Sequence, residues 1–297
     1  LAHGHDEVGN LLPGDGARAT FLDTSLPEPI AEDRKPVTYA SLAQEAARGD
    51  RPGSSAGGEQ PKFTAWAMSA DGPRHVIVKF SEREDGPVPE RWRDLLLAEH
   101  LALTTLREAG ISAARTRIVD HGAQRFLEVE RFDRIGPLGR RALFSLEALN
   151  AEFVGAAASG WPLIARRLVA DGHIHPDAAA GAELLWAFGT LIGNTDMHGG
   201  NLSFVSEHGR PYAIAPAYDM TPMAFAPRSG GGLPDVLPEA TLHASVANAN
   251  WHRADALALA FLERLRSTTG FSARFGPCMA ALEHHVATAH LKIERLG

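Results

Sequence analysis

Apolar and polar positions alternate over 62–69 and again over 74–81, on either side of Asp71-Gly72-Pro73. A period of two interrupted by a Gly-Pro turn predicts two strands of a hairpin. From Glu90 the period lengthens. Trp92, Leu96, Glu99, Leu103 and Leu106 stand at helical spacing, which predicts one helix over 90–109 that Gly110 stops. Further strands are predicted over 113–120 and 124–131, joined through His121-Gly122. Upstream, 38–48 reads as a short helix ending at Gly49. Residues 1–37 are rich in Gly, Pro and acidic side chains with little period, and read as irregular structure or the remnant of a preceding domain.

After Gly139 the texture becomes rich in Ala and Leu. Helices are predicted over 145–158, 160–171, 177–193, 251–268 and 275–296. One hairpin interrupts them, with strands over 201–205 and 212–215, and the Pro- and Gly-rich stretch 222–238 reads as a loop. The predicted class is α+β with two lobes. An N-terminal region spans 1–50, a β-rich lobe 51–136 and a mainly helical lobe 137–297. A chain of 297 residues is long for a single core, which agrees with two lobes.

Composition narrows the partners. Hydrophobic residues make up 44% and charged residues 22%, enough apolar material for real cores. The net charge of -7 supplies no basic face for direct nucleic-acid binding. Cys278 is the single cysteine, so neither a disulfide framework nor a cysteine zinc site can be built, and a cytoplasmic location is expected. No apolar run approaches the roughly 18 residues of a membrane span, and no signal-peptide hydrophobic region is seen.

The chemistry concentrates in Gly193-Asn-Thr-Asp-Met-His-Gly-Gly-Asn201, which follows the helix carrying Leu184, Leu185, Phe188, Leu191 and Ile192. Asp196 and Asn201 stand with four residues between them. Phosphoryl transfer asks for such a pair, because its work is positioning and charge neutralisation. A carboxylate orients a hydroxyl and takes its proton, and an amide oxygen can ligate a cation without adding charge. Gly199 and Gly200 allow a tight turn between them. The hairpin return then brings Asp219 beside Asn201, giving hard oxygen donors suited to Mg2+. His198 either contacts phosphate or substrate, or holds the loop by hydrogen bonds.

In the β-rich lobe, Val76-Ile-Val-Lys79 places a lysine in an apolar strand. It either reaches a partner or snorkels at the sheet rim. Glu99 lies within the apolar stripe of helix 90–109 and either pairs with a cation or meets water at the stripe's edge. A strand lysine paired with a helix glutamate is how kinase-like lobes hold the α- and β-phosphates. The flexible run Ser54-Ser-Ala-Gly-Gly-Glu-Gln-Pro-Lys62 could wrap phosphate through backbone N–H groups, although it is no Walker A motif. Glu128-Val-Glu-Arg-Phe-Asp133 ends the strands where a hinge should fall, or is an ordinary charged strand end.

Taken in order, 54–62, Val76–Lys79, Glu130-Arg-Phe-Asp-Arg134, 193–201 and Ala215-Pro-Ala-Tyr-Asp-Met220 resemble the HipA-type kinases, toxin components of bacterial toxin–antitoxin pairs. The resemblance implies a serine/threonine protein kinase with a two-lobed protein-kinase-like fold, using ATP and Mg2+. It implies Asp196 as catalytic base, Asn201 and Asp219 as metal ligands, and Lys79 on the ATP phosphates. Backbone groups of Glu130 and Phe132 would meet adenine. Ala56, Gly57, Gly58, Glu59 and Gln60 would form the nucleotide loop, and His198 and Asn201 would also contact nucleotide, with Glu99 in support. Inhibitory autophosphorylation would fall on Ser54, with Ser55 its rival. The implied partners are a protein substrate, such as a translation factor or aminoacyl-tRNA synthetase, and an antitoxin. The pattern looks closer to the stand-alone, antitoxin-independent branch. Two departures matter: relatives commonly carry lysine where Gly200 stands, and several carry a charged residue where Pro61 stands. Two other readings remain: a small-molecule phosphotransferase of antibiotic-kinase type, and an interaction module or metal-dependent hydrolase using Asp196, His198 and Asp219.

Overall fold

In the computed structural model, residues 6–25, 27–48, 60–157 and 160–296 are described. The chain divides into two compact units, Leu1–Glu84 with Ala114–Leu143, and Asp85–Ala113 with Phe144–Gly297. The predicted nucleotide-loop positions Ala56, Gly57, Gly58 and Glu59, and both candidate phosphoacceptors, Ser54 and Ser55, lie outside the described residues.

In the first unit, strands β1 (Lys62–Ser69) and β2 (Gly72–Phe80) form the expected hairpin, with Gly72 at φ 99° in its turn. Strands β3 (Thr116–His121) and β4 (Gln124–Glu130) complete an antiparallel sheet of order β1-β2-β4-β3. Helix α2 (Lys35–Ala47) covers one face. Its Tyr39, Leu42, Ala43 and Ala46 pack on Phe63, Ala67, Val76, Val78, Phe80, Val119 and Phe126. Glu128 is buried on this face. It accepts from the Tyr39 hydroxyl at 2.5 Å and pairs with Lys35 at 2.8 Å. Burial, and then the Glu128 carboxylate, push the Tyr39 phenol far above its ordinary range.

Residues 1–37 hold more structure than the composition suggested. Helix α1 (Gly14–Asp23) forms there without a side-chain N-cap, and Ile30 pairs with Ala67 beside β1. The stabilising contacts are long-range, which hid them from the local pattern. The Arg140 guanidinium lies 4.9 Å from the Phe21 ring centre. A short ribbon, β5 (Arg134–Ile135) with β6 (Gly139–Arg140), also had no sequence signal.

The second unit is mainly helical. Helix α3 (Pro87–Glu108) packs on α7 (Asn248–Ser267), and α6 (Pro176–Leu191) packs against α5 (Trp161–Ala170), α7 and α8 (Gly276–Ile293). The predicted helix over 145–158 is shorter. After β7 (Ala142–Ser145), α4 (Leu146–Leu149) passes into a π turn, Asn150–Val154, ending at Gly155. The Asn150 side chain bonds both the N–H and the carbonyl of Ala156, which fixes the stop. Strands β8 (Ser203–Ser206) and β9 (Ala213–Ile214) pair beside β7. The predicted strand start at 201 is instead a 3-10 turn, Gly199–Asn201. Stretch 222–238 is irregular apart from a turn at Met223–Phe225, and Arg91 pins it by donating to the Phe225 and Pro234 carbonyls.

Candidate phosphotransfer site

The end of α6 sets the site. Gly193, at φ 74°, donates to the Thr190 carbonyl, and the Asn194 N–H returns to the Gly189 carbonyl at 2.8 Å. These two bonds form a Schellman motif, in which a left-handed glycine closes the helix. Gly189 serves the same loop by having no side chain, since a Cβ there would meet Met197 Sδ at 2.3 Å. The helix end thus delivers Asn194 and Asp196 in fixed positions.

Asn194 is 4% exposed. Its Oδ1 accepts from the Asp196 N–H at 3.0 Å, and its Nδ2 donates to the Asp219 carbonyl at 3.1 Å. Asn201 Nδ2 donates to the Asp196 carbonyl at 2.7 Å, which turns its Oδ1 away from that carbonyl. Asp196 keeps its side chain about half exposed. Asp219 is the one non-glycine residue at positive φ, 53°, among the described residues. The sequence singled out Asp196, Asn201 and Asp219, and the fold brings them to one loop and the segment beside it. Asn194 was visible within the quoted motif, but nothing local showed that its amide joins the two segments.

His198 holds the loop. Its Nδ1 accepts from the Gly200 N–H at 3.0 Å, so the ring proton sits on Nε2, 4.0 Å from an Asp196 carboxylate oxygen. The His198 carbonyl accepts from buried Trp161 at 3.0 Å. Gly200 now has a physical reason. A Cβ there would stand 2.8 Å from the His198 ring, in the space that ring fills. The Tyr218 hydroxyl donates to the Gly200 carbonyl at 2.6 Å and therefore accepts from Ser203, also at 2.6 Å. Burial, opposed by the Ser203 bond and supported by Asp219, raises the Tyr218 phenol well above its ordinary range.

Glu99 is buried at 1% exposure and accepts from Thr221 Oγ1 at 2.8 Å, two residues past Asp219. The reading that places it at the stripe's edge in water is therefore corrected. In the first unit, Lys79 lies between Val78 and Phe80, which both face α2, so period two puts it on the opposite face of the sheet. Its cross-strand partners are Lys62 and Leu127. Gln60 and Phe132 are part-exposed. The Glu130 N–H is spent on the Arg115 carbonyl at 2.9 Å.

The side chains after Glu130 hold the N-terminal segment. Arg131 and Arg134 pair with Asp133 and Asp6, and Arg134 also donates to the Glu7 and Gly9 carbonyls. Burial alone would raise Asp133, but the two guanidiniums outweigh it and hold the carboxyl below its ordinary range. A cavity of about 270 Å³ in this unit is lined by Phe21, Trp66, His75, Arg131, Arg134 and Arg140 among others. Arg131 and Arg134 in this lining are paired with Asp6 and Asp133.

The hard donor set of Asn201 Oδ1 and the Asp219 carboxylate fits Mg2+, which takes few protein oxygens and keeps water and phosphate as its other ligands. No group of three His, Cys, Asp or Glu side chains suited to a metal occurs among the described residues. No described helix is long and apolar enough to cross a membrane.

The sheet-rich unit and the helical unit define a protein-kinase-like α+β fold of two lobes. A chain of the Shewanella oneidensis MR-1 complex of HipA, HipB and operator DNA matches at TM-score 0.58 and 18% identity, over 98% of this chain and 76% of that one. The Helicobacter pylori proinflammatory kinase CtkA matches at TM-score 0.55 and 14% identity, over 80% of this chain and 96% of that one. The chain belongs to the HipA-like C-terminal domain family, whose match runs over residues 54–289. It is 39% identical over 291 residues to Toxin YjjJ of Escherichia coli K12, and covers 65% of that protein's length. Both the family read from the ordered motifs and the predicted fold class are borne out.

Proposed function

We propose that this chain is an ATP- and Mg2+-dependent serine/threonine protein kinase of the HipA toxin type. The observation that carries the reading is the gathering of Asp196, Asn201 and Asp219 at one helix end, joined by hydrogen bonds through Asn194 and the Asp196 backbone. Asp196 orients the acceptor hydroxyl and takes its proton. The Asn201 amide oxygen and the Asp219 carboxylate hold the cation. Mg2+, when bound, neutralises charge on the transferring phosphoryl group. Lys79, on the sheet face opposite α2, binds the ATP phosphates with Glu99 in support. The backbone at Glu130 and Phe132 meets adenine, and residues 56–60 form the nucleotide loop. His198 caps Gly200 and lies against the nucleotide.

On this reading the acceptor is a protein hydroxyl, with a translation factor or aminoacyl-tRNA synthetase as the substrate class. Modification of Ser54 or Ser55 would add charge to the nucleotide loop and switch the kinase off. The HipA relative was solved with HipB. An antitoxin of that kind and self-modification are the two controls this reading admits. The working compartment is the cytoplasm.

The test is phosphate transfer from γ-labelled ATP to protein acceptors. Asp196→Ala is expected to lower the rate about 10²-fold or more, the usual worth of a general base. A rate that survives the substitution removes Asp196 from this role. Saturable transfer to small alcohols or aminoglycosides, with no protein labelled, would move the chain to the antibiotic-kinase class.

A further inference from the structure

The structure assigns Asn194, backed by Tyr218, a positioning role: together they strap the Asp219 segment to the Asp196 loop, and so set where the metal-holding oxygens stand. This inference rests on the kinase reading above. Asn194 is not a group that would touch substrate. Its amide is nearly buried, and its two polar atoms are spent on backbone of two different segments. One accepts from the Asp196 N–H and the other donates to the Asp219 carbonyl. Asp196 in turn holds Asn201 through its carbonyl. A continuous path of hydrogen bonds therefore runs from the Asp219 backbone through Asn194 and the Asp196 backbone to the Asn201 amide.

The path matters because Asp219 stands at φ 53°. A non-glycine residue persists in that region only where its surroundings hold it. The hold is applied at its own carbonyl by Asn194. One residue earlier, the Tyr218 hydroxyl fastens the same segment to the Gly200 carbonyl and to Ser203, which flank Asn201. Position 194 needs a donor and an acceptor on one short planar group. Aspartate would set an acceptor against the Asp219 carbonyl, and leucine would bond to neither segment. Groups that orient metal ligands are worth about 10–100-fold in metal affinity.

The experiment measures Mn2+ binding to the full chain by electron paramagnetic resonance, with a non-hydrolysable ATP analogue, for wild type, Asn194→Ala and Tyr218→Phe. Circular dichroism checks the fold of each. Asn194→Ala is expected to bind Mn2+ about tenfold more weakly and to recover phosphate transfer at high Mn2+, whereas Asp196→Ala does not recover. Tyr218→Phe keeps the ring and cuts the second bridge, so it should show a smaller loss of the same kind. It carries the test should Asn194→Ala fail to fold. Folded variants that bind Mn2+ like wild type, or that lose transfer without recovery at high Mn2+, overturn the inference. A wild-type chain that binds neither Mn2+ nor nucleotide overturns the kinase reading beneath it.

Discussion

Gly199 and Gly200 are adjacent, yet they lack side chains for different reasons. A Cβ at 199 would stand 2.9 to 3.0 Å from Glu147 Cβ, Cα and N, which belong to the start of α4. Backbone cannot give way cheaply there, so Gly199→Ala should destabilise the second unit by about 1–3 kcal/mol through overpacking. A Cβ at 200 would crowd the His198 ring, which can rotate, and would touch Glu147 Oε2 only at an ordinary 3.6 Å. Gly200→Ala should then cost only about the 1 kcal/mol of one exposed hydrogen bond. Denaturant unfolding of the two variants checks the order, and an equal cost for both would mean that α4 does not wall the loop. The lysine common in relatives is thus compatible with this backbone once His198 leaves the Gly200 N–H.

At the scale of elements, the ion-pair cluster of Asp6, Arg131, Asp133 and Arg134 joins the N-terminal segment to the end of β4. Asp133 and Asp6 both titrate below their ordinary values, because guanidiniums outweigh the effect of burial. A depressed folded pKa means that the unfolded chain takes up the proton more readily. The stability this gives is fully present above the unfolded carboxylate value, near 3.8. It is lost as pH falls through the lower folded value. Asp133→Asn should cost about 3–5 kcal/mol at neutral pH, because it leaves buried guanidinium charge uncompensated. The gap to wild type should hold above about pH 4 and narrow as pH falls from there through the lower folded value. Denaturant midpoints across that range test this, and a constant gap would mean that the cluster contributes no pH-dependent stability.

At the scale of the molecule, the two units are interleaved along the chain. Helix α3 lies in sequence between strands of the first unit, yet its residues belong to the second. Leu95, Leu96, Ala98, Leu103 and Leu106 are buried, and α3 packs on α7. Asp94 accepts from both the N–H and the hydroxyl of Ser272. A fragment of residues 144–297 would expose that apolar surface and leave the Ser272 N–H without its carboxylate. It is expected to lack cooperative unfolding and to be cut rapidly by protease, while the full chain resists. Cooperative melting of the fragment alone would show that α3 is dispensable to the second unit.

Much of this was legible beforehand because the signals are local. The β1–β2 hairpin follows from alternation and the Asp71-Gly72 turn, and α6 follows from its apolar face and closing Gly193. The grouping of Asp196, Asn201 and Asp219 followed from a short hairpin that must return the chain. The remainder needed contacts between residues far apart in sequence. Helix α1 has no cap and little period, and leans on Arg140. The π turn at Asn150 comes from a side chain bonding six residues ahead. Glu99 could be placed on a stripe, but not buried against Thr221, more than a hundred positions away.

The loop over residues 193–201 shows the division most closely. The sequence by itself determined which oxygens could serve, because carboxylates and an amide at that spacing are a chemical fact of the chain. Only the tertiary structure decided how they are held. Asn194 reads as one more polar loop residue until α6 ends in a Schellman motif and its amide meets the Asp219 carbonyl. A carboxamide takes its role from whichever donor and acceptor the fold sets beside it, and no local pattern specifies those partners.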